Sequence, residues 1–347
     1  MKVHTYMDPF LLGKKSGITS AMGRLQRAHS LSGIEQAPVE EADVVHVNGV
    51  SIGGMVLAKQ LKGKKPLVVT AHTTAEDFAE SFLLSSKIKP ITRIFLKEYY
   101  SLFDVIVVPS LYSKRLLESY DIGKPIVPVS NGIETEKYRR VERLRKEFRE
   151  SEGIYERFFV SVGVVLKRKG VEDFYLTAKL LPQYRFYWFG AILRNLIEGE
   201  QIRQIIKSPP SNMRFYGIIE DVRVAYSAAD IFLFPSKEEN QGLAVLEAMA
   251  AGLPVIIRDH PVFEEFRDGE TCMKAKDSLE FVLKSKQLAE DEELASRIGK
   301  AAQAYVERHH LSRVGQRLKN LYEALLEGRL NEILNSPHLD DPTAPTF

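Results

Sequence analysis

Short β-branched runs alternate with amphipathic stretches twice over in this chain, once before residue 134 and again after residue 152. A strand, a helix and another strand in sequence require a crossover, and crossovers of this kind build parallel sheets with helices on their faces. The first series predicts strands at 2–6, 44–47, 67–70, 105–108 and 126–129, with helices near 18–30, 52–61, 75–85, 91–102 and 112–120. The second predicts strands at 158–162, 185–189, 213–216, 231–234 and 255–257, with helices near 171–181, 197–206, 221–228 and 243–250. Charged residues 134–152 read as a connection holding a solvated helix, and 278–333 as helical almost throughout. The expected fold is α/β: two Rossmann-like, doubly wound parallel-sheet domains, 1–150 and 151–333, facing across a cleft. The tail 334–347, with three prolines, is expected to be disordered. Ligands of such sheets bind beyond the carboxyl ends of the strands, so the loops after strands are where chemistry is sought.

Composition narrows the class. At 347 residues the chain has room for two domains, and its 44% hydrophobic and 27% charged residues suit a folded globular protein. No apolar run approaches the roughly 20 residues that a spanning helix needs. The opening Met1-Lys2-Val3-His4-Thr5-Tyr6 reads as a strand rather than a signal peptide. The single cysteine, Cys272, has no internal partner and suits a reducing cytoplasm; it is expected to be a buried filler in a strand at 271–273. Residues 1–150 hold 23 Lys+Arg against 17 Asp+Glu, whereas the remainder holds 25 against 29. That basic first half suggests an anionic partner, either a phosphate-bearing ligand or a membrane surface. Nucleic acid is disfavoured, because the cations are scattered and no nucleic-acid-binding signature accompanies them.

The richest stretch runs from Ile231 to Ile257. A strand Ile-Phe-Leu-Phe is followed by Pro235-Ser236, then Lys-Glu-Glu-Asn-Gln-Gly, then a helix at 243–250 closed by Gly252 and Pro254. Glu239 falls on the loop and Glu247 eight residues later in the helix. Both can face a ligand held over the helix N-terminus, where Gly242 lets backbone N–H groups approach an anion. Glu247 is followed by Ala-Met-Ala-Ala-Gly, and a lone charge in so apolar a segment is costly unless it has a task.

Glu239-x7-Glu247, within Pro-Ser-x2-Glu-x2-Gly-Leu-x3-Glu-Ala-Met-Ala-x-Gly-Leu-Pro-Val, resembles the donor-site motif of retaining glycosyltransferases of family 4, which have the GT-B fold. The resemblance implies that Glu247 binds a ribose and Glu239 the transferred sugar. Backbone around Asn240, Gln241, Gly242 and Leu243 would hold the diphosphate. Gly163, then Arg168 and Lys169, resembles the first strand-loop of the donor domain, where Lys169 would neutralise the departing diphosphate. The family commonly has an arginine where this chain has Val164, and Arg168 is the candidate to replace its charge. Gly217 and Ile218 resemble the segment beside the base, while Tyr226 and Asp230 match structural positions.

In the first half, the loop 8–17 is less glycine-rich than in the family, and Gly17 is its best match. His72, at the end of a strand, resembles the family histidine that meets the transferred sugar or the acceptor hydroxyl. Segments around His72, 100–104, 109–118 and 129–133, with Trp188-Phe-Gly190 and Glu238-Glu-Asn240, are similar to bacterial diacylglycerol glucosyltransferases. That implies glucose transfer from UDP-glucose to a lipid hydroxyl with retention of configuration. It also implies that no metal cofactor is needed and that the protein lies peripherally on the inner face of the cell membrane. Independently, Ile88, Ile91, Ile94, Phe95 and Tyr99 recur at helical spacing beside Lys89, Arg93 and Lys97. A basic amphipathic helix of this kind can meet anionic lipid; equally, its apolar face can pack on the sheet. A saccharide or another lipid as acceptor, and an inactive nucleotide-sugar-binding scaffold, stand as alternatives.

Overall fold

The computed structural model describes residues 1–8, 17–76, 85–192 and 200–347, the side chains of 17–20 and 85–88 excepted. The expected loop 8–17 beyond Asp8, and parts of the helices expected at 75–85 and 197–206, lie outside them. Two six-stranded sheets are present, with every strand pairing parallel.

The first sheet has the order β2-β1-β3-β4-β5-β6. Its strands are β1 Lys2–Tyr6, β2 Glu35–Gln36, β3 Val44–Asn48, β4 Leu67–Thr70, β5 Val105–Val108 and β6 Ile126–Pro128. Helices α1 Gly17–Leu31, α2 Ile52–Leu61, α3 Ser85–Tyr100 and α4 Leu111–Glu118 intervene. β3, β4 and β5 are buried along their whole length, as expected for central strands covered on both faces. The two-residue edge strand β2 has too little apolar content to be seen in the sequence.

The second sheet has the order β12-β11-β10-β7-β8-β9. It follows two helices, α5 Thr135–Tyr138 and α6 Glu142–Glu152. Its strands are β7 Phe158–Val162, β8 Arg185–Phe189, β9 Met213–Gly217, β10 Ile231–Phe234, β11 Val255–Arg258 and β12 Met273–Ala275. Its helices are α7 Val171–Leu180, α8 Glu200–Lys207, α9 Arg223–Ala228, α10 Leu243–Ala250, α11 Ser278–Glu290 and α12 Glu292–Val306. The chain ends with α13 Leu311–Leu326 and α14 Leu330–Leu334.

The division of the chain differs from the expected 1–150 and 151–333. Among the described residues, 1–134 and Arg308–Phe347 form one compact unit, and Thr135–Glu307 the other. The reason lies in α13, whose apolar residues Leu311, Val314, Leu318 and Leu321 share a core with Leu25 and Ala28 of α1. The tail 334–347 is also structured rather than disordered. Arg317 of α13 is fully buried, and its guanidinium donates to the carbonyls of Pro128, His338, Leu339, Ala344 and Thr346 at 2.9–3.3 Å. A buried cation needs acceptors. Proline deprives the tail of N–H donors but leaves its carbonyls, and these collect around the guanidinium. Burial pulls the Arg317 pKa down to about 10.

Two smaller expectations shift. Helix α6 is not merely solvated: Phe148 is buried, and Arg145 and Arg149 bind Asp230 at 2.6 and 3.0 Å. Cys272 is buried as expected but precedes its strand, β12, and burial pushes its thiol up to about 12.

Candidate active site

In the second unit the site grows from the carboxyl ends of β7, β8, β9 and β10. Glycine directly follows β7 and β8 and ends β9, three adjacent strands. The Gly163 N–H donates to the Phe189 carbonyl at 2.9 Å, and the Gly190 N–H to the Gly217 carbonyl at 2.8 Å. At Gly190 the spacing leaves no room for a side chain, since a Cβ there would lie 1.9 Å from the Gly163 carbonyl oxygen. Trp188 Nε1 donates to that same oxygen at 2.8 Å. The row of glycines keeps this edge low, and Ile218, just past Gly217, is 64% exposed beside it.

After β7 the chain forms a single 3-10 turn, Lys167–Lys169, before α7. This turn is tied to the loop after β10: the Lys237 N–H donates to the Arg168 carbonyl at 2.7 Å, and Arg168 Nη1 to the Glu238 carbonyl at 3.3 Å. Lys169 Nζ donates to Glu239 Oε1. Burial would push the Glu239 carboxyl towards its neutral form. The charges of Lys169 and Arg168, with hydrogen bonds from Lys169 and Ser236, outweigh that and hold it below the usual carboxylate range. Lys169, Arg168 and Glu239 therefore form one ionised cluster, 70 residues apart in sequence, at the ends of neighbouring strands.

The helix α10 begins immediately beyond. Gly242 takes its cap position at φ 80°, and no side chain caps the helix start. A Cβ at Gly242 would lie 2.8 Å from the Phe263 ring, so the left-handed turn and the packing both call for glycine. Gln241 is buried, whereas Asn240 and Leu243 are half-buried. Glu247 is the single charge on α10 and is buried, and the Tyr226 hydroxyl donates to its Oε2 at 2.7 Å. Tyr226 thus has a place in the site that spacing alone did not reveal: it lies on α9, across a strand from α10, and only the fold brings it to Glu247. A pocket of about 760 Å³ in this unit, lined by Tyr175, Gln204 and Lys237 among others, lies along α7 and α8, and its lining includes neither Glu239 nor Glu247.

In the first unit, His72 sits just past β4, and its Nε2 lies 2.6 Å from Asn48 Oδ1 at the end of β3. Burial lowers the ring's pKa to about 4, so it is neutral near neutral pH. A second buried network runs behind it: His46 meets Thr70 at 2.6 Å and the Tyr322 hydroxyl at 2.5 Å, and that hydroxyl lies 2.9 Å from His29. Gly17 begins α1.

Helix α3 divides its apolar residues between two faces. Leu96, Tyr99 and Tyr100 are buried in the core, whereas Ile91, Ile94 and Phe95 are 68, 65 and 46% exposed. Packing on the sheet and an outward apolar edge therefore coexist. The expected lipid-facing cations have partners within the unit. Lys89 meets Glu76 at 3.2 Å and Lys97 meets Asp121 at 3.3 Å, while Arg93 bonds Ser119 and lies 4.6 Å over the Tyr120 ring.

Comparison with known proteins places this arrangement in a class. The Glycosyltransferase Family 4 model matches residues 18–137, and the model for glycosyl transferases group 1 matches residues 144–305. The chain belongs to the family 4 glycosyltransferases of GT-B fold, and it is a glycosyltransferase. Among its relatives, the processive diacylglycerol alpha-glucosyltransferase of Acholeplasma laidlawii is 34% identical, over 94% of this chain and 99% of the relative. The alpha-monoglucosyldiacylglycerol synthase of the same organism is 26% identical over 84% of this chain and 78% of its own length. In fold, the chain resembles the structure of Anabaena HepE in complex with UDP and glucose (TM-score 0.76, 17% identity, 93% of this chain and 100% of that one).

Proposed function

We propose that this chain moves glucose from UDP-glucose to the hydroxyl of a lipid acceptor such as diacylglycerol, with retention of anomeric configuration, at an anionic membrane surface on the cytoplasmic side. The donor half of this reading is carried by one observation, the ionised Lys169–Arg168–Glu239 cluster beside the N-terminus of α10. In this reading the uridine diphosphate rests over that helix start, where backbone N–H groups and the helix dipole favour an anion. Glu247, held by Tyr226, accepts from the ribose hydroxyls; Gly163 and Gly217 give the nucleotide room, with Ile218 against the base; and Glu239 accepts from the glucose. The bond between the anomeric carbon and the diphosphate oxygen breaks as the acceptor oxygen bonds to the same face. The acceptor's proton passes to the departing phosphate, and Lys169 and Arg168 stabilise the charge left on it.

The acceptor half draws on the whole-length likeness to a diacylglycerol glucosyltransferase and on the outward edge of α3. Among the described residues no helix is long and apolar enough to cross a membrane. A half-exposed helix with Ile91, Ile94 and Phe95 outward suits shallow insertion instead. The exposed ion pair of Lys97 with Asp121 is worth about 0–1 kcal/mol, so anionic headgroups can compete for that cation. No metal has a part in this reading.

The test is release of UDP from a panel of UDP- and GDP-sugars, with and without diacylglycerol in anionic vesicles, each repeated with a chelator. Lipid-dependent release from UDP-glucose, unchanged by the chelator, is the expected result. Turnover confined to a saccharide acceptor would overturn the lipid assignment while leaving the donor site in place.

A further inference from the structure

The diagonal from β3 to β4 is used twice for side-chain hydrogen bonds. In the register of these strands His46 lies beside Val68 and Asn48 beside Thr70. Each reaches two residues further along: His46 Nε2 to Thr70 Oγ1, and Asn48 Oδ1 to His72 Nε2, both at 2.6 Å. The backbone holds this geometry, with the Gly49 N–H on the Thr70 carbonyl at 3.0 Å and the Ala71 N–H on the Val107 carbonyl at 2.8 Å. Asn48 is 3% exposed, and its Nδ2 donates to Met22 Sδ at 3.4 Å, which leaves the Oδ1 end of the amide turned to His72. An amide oxygen accepts and cannot donate, so the ring nitrogen facing it must carry a proton. Burial keeps the ring from taking a second proton near neutral pH. The lone pair of the neutral imidazole is therefore on Nδ1.

We propose that Asn48 is a positioning residue that fixes His72 as the Nε2–H tautomer, so that Nδ1 is the ring's hydrogen-bond acceptor for a hydroxyl of the sugar or of the lipid. The identity of that hydroxyl rests on the glycosyl-transfer reading above; the tautomer does not. Had the ring taken the other tautomer, its lone pair would have faced the Asn48 oxygen, and Nδ1 would have offered a donor to an incoming hydroxyl. The same side chain would then favour a different contact.

The test begins with the full-length, unsubstituted chain. Long-range proton–nitrogen NMR of isotope-labelled imidazoles, with the His72 signals identified by their loss in His72→Gln, reads the tautomer directly. A protonated Nε2 and an unprotonated Nδ1 are expected, and the reverse pattern overturns the proposal. Asn48→Leu, which removes the acceptor, is expected to mix the tautomers. It should lower kcat about ten- to hundredfold, with the KM for donor changed less than about threefold. Asn48→Asp keeps an acceptor at the same reach and should retain the Nε2–H signature and more of the turnover. Equal losses in the two variants, with the tautomer unmoved in both, would reduce Asn48 to packing and overturn the proposal. The spectra need no substrate. An Nε2–H ring in a protein without lipid-dependent turnover would sink the activity reading alone, whereas turnover with an Nδ1–H ring would sink this one alone.

Discussion

The two units carry parallel sheets of six strands each, and they treat polar groups at the strand ends in opposite ways. In the second unit those groups are ions: Lys169 with Glu239, Arg258 with Asp173, and Arg145 and Arg149 with Asp230. In the first, those around β3 and β4 are neutral: His29, His46, Thr70 and Tyr322 in one buried network, Asn48 and His72 in another. Seven of the eight histidines lie in the first unit. Buried charge persists only where its partner is in place, and buried neutral donors and acceptors only where each is satisfied. An anionic leaving group calls for a fixed cation already desolvated, whereas a neutral hydroxyl calls for a neutral ring in one tautomer. The contrast follows the two halves of the proposed reaction.

The largest effects should come from breaking an ion pair in the second unit. Lys169→Ala leaves Glu239 buried without its nearest cation and removes charge from the leaving group. We expect kcat to fall about 10²–10³-fold, with a stability loss of about 3 kcal/mol from the uncompensated carboxylate. Glu239→Ala should abolish transfer while UDP still binds, read by turnover and by calorimetric titration with UDP. Undiminished turnover in either variant would break the contrast at its strongest point.

Acid should separate the units next. His29 has its pKa lowered from 6.5 to about 4 by burial, and His72 likewise, while His46 is lowered well below 6.5. Because these folded-state values lie below the unfolded one, the unfolded chain binds more protons throughout that window. Their contribution is complete above about pH 6.5 and is lost as pH falls towards about 4, on the order of 3 kcal/mol for His29 alone. The second unit contains one histidine, His260, and several carboxylates held low, Asp230 and Glu239 among them. Those contribute above the ordinary carboxylate range and fail only as pH falls below it. Hydrogen exchange should therefore show β3 and β4 losing protection at a higher pH than β7 and β10. Simultaneous loss would mean that the histidine network carries little of the first unit's stability.

What the sequence disclosed follows the same division. Eleven of the twelve strands were legible, because buried β-branched runs bounded by turn residues need no tertiary information; β12 was read two residues early, and β2 was too short to carry the pattern. The Glu239–Glu247 loop and helix were legible because the ligand-facing residues are close in sequence. Tyr226 on Glu247 and Asn48 on His72 were not, since each pair is brought together by strand order and has no fixed spacing. The return of α13 to the first unit was hidden for a related reason. Its apolar stripe announces a helix but not its partner, and the proline-rich tail looks disordered until buried Arg317 is seen to need its carbonyls.

Tyr226→Phe sharpens the comparison from inside the second unit, because it removes a neutral donor from a charged group. The hydroxyl donates at 2.7 Å to a carboxylate that is 9% exposed. A hydrogen bond to a charged group contributes about 1.5–3 kcal/mol, and without it Glu247 is held less firmly towards the ribose. The expected result is a donor KM raised about three- to tenfold with kcat nearly unchanged, since the contact orients ground state and transition state alike. A fall in kcat at constant KM would instead place Tyr226 in the chemistry.

The smallest effect should come from the surface of the first unit. Lys97 meets Asp121 at 3.3 Å, with 41 and 96% of the two side chains exposed. A pair so open to solvent contributes about 0–1 kcal/mol, and Lys97→Ala should shift Tm by only a few degrees at most. The same cation near an anionic membrane is worth about 1 kcal/mol. Binding to anionic vesicles should therefore weaken about fivefold, and binding to neutral vesicles should not change. If vesicle affinity holds while Tm falls, Lys97 serves the fold alone, and any membrane contact must come from Ile91, Ile94 and Phe95. If affinity falls and Tm holds, the ion pair is a resting partner that lipid displaces, and the first unit's surface is as dependent on charge as the second unit's interior.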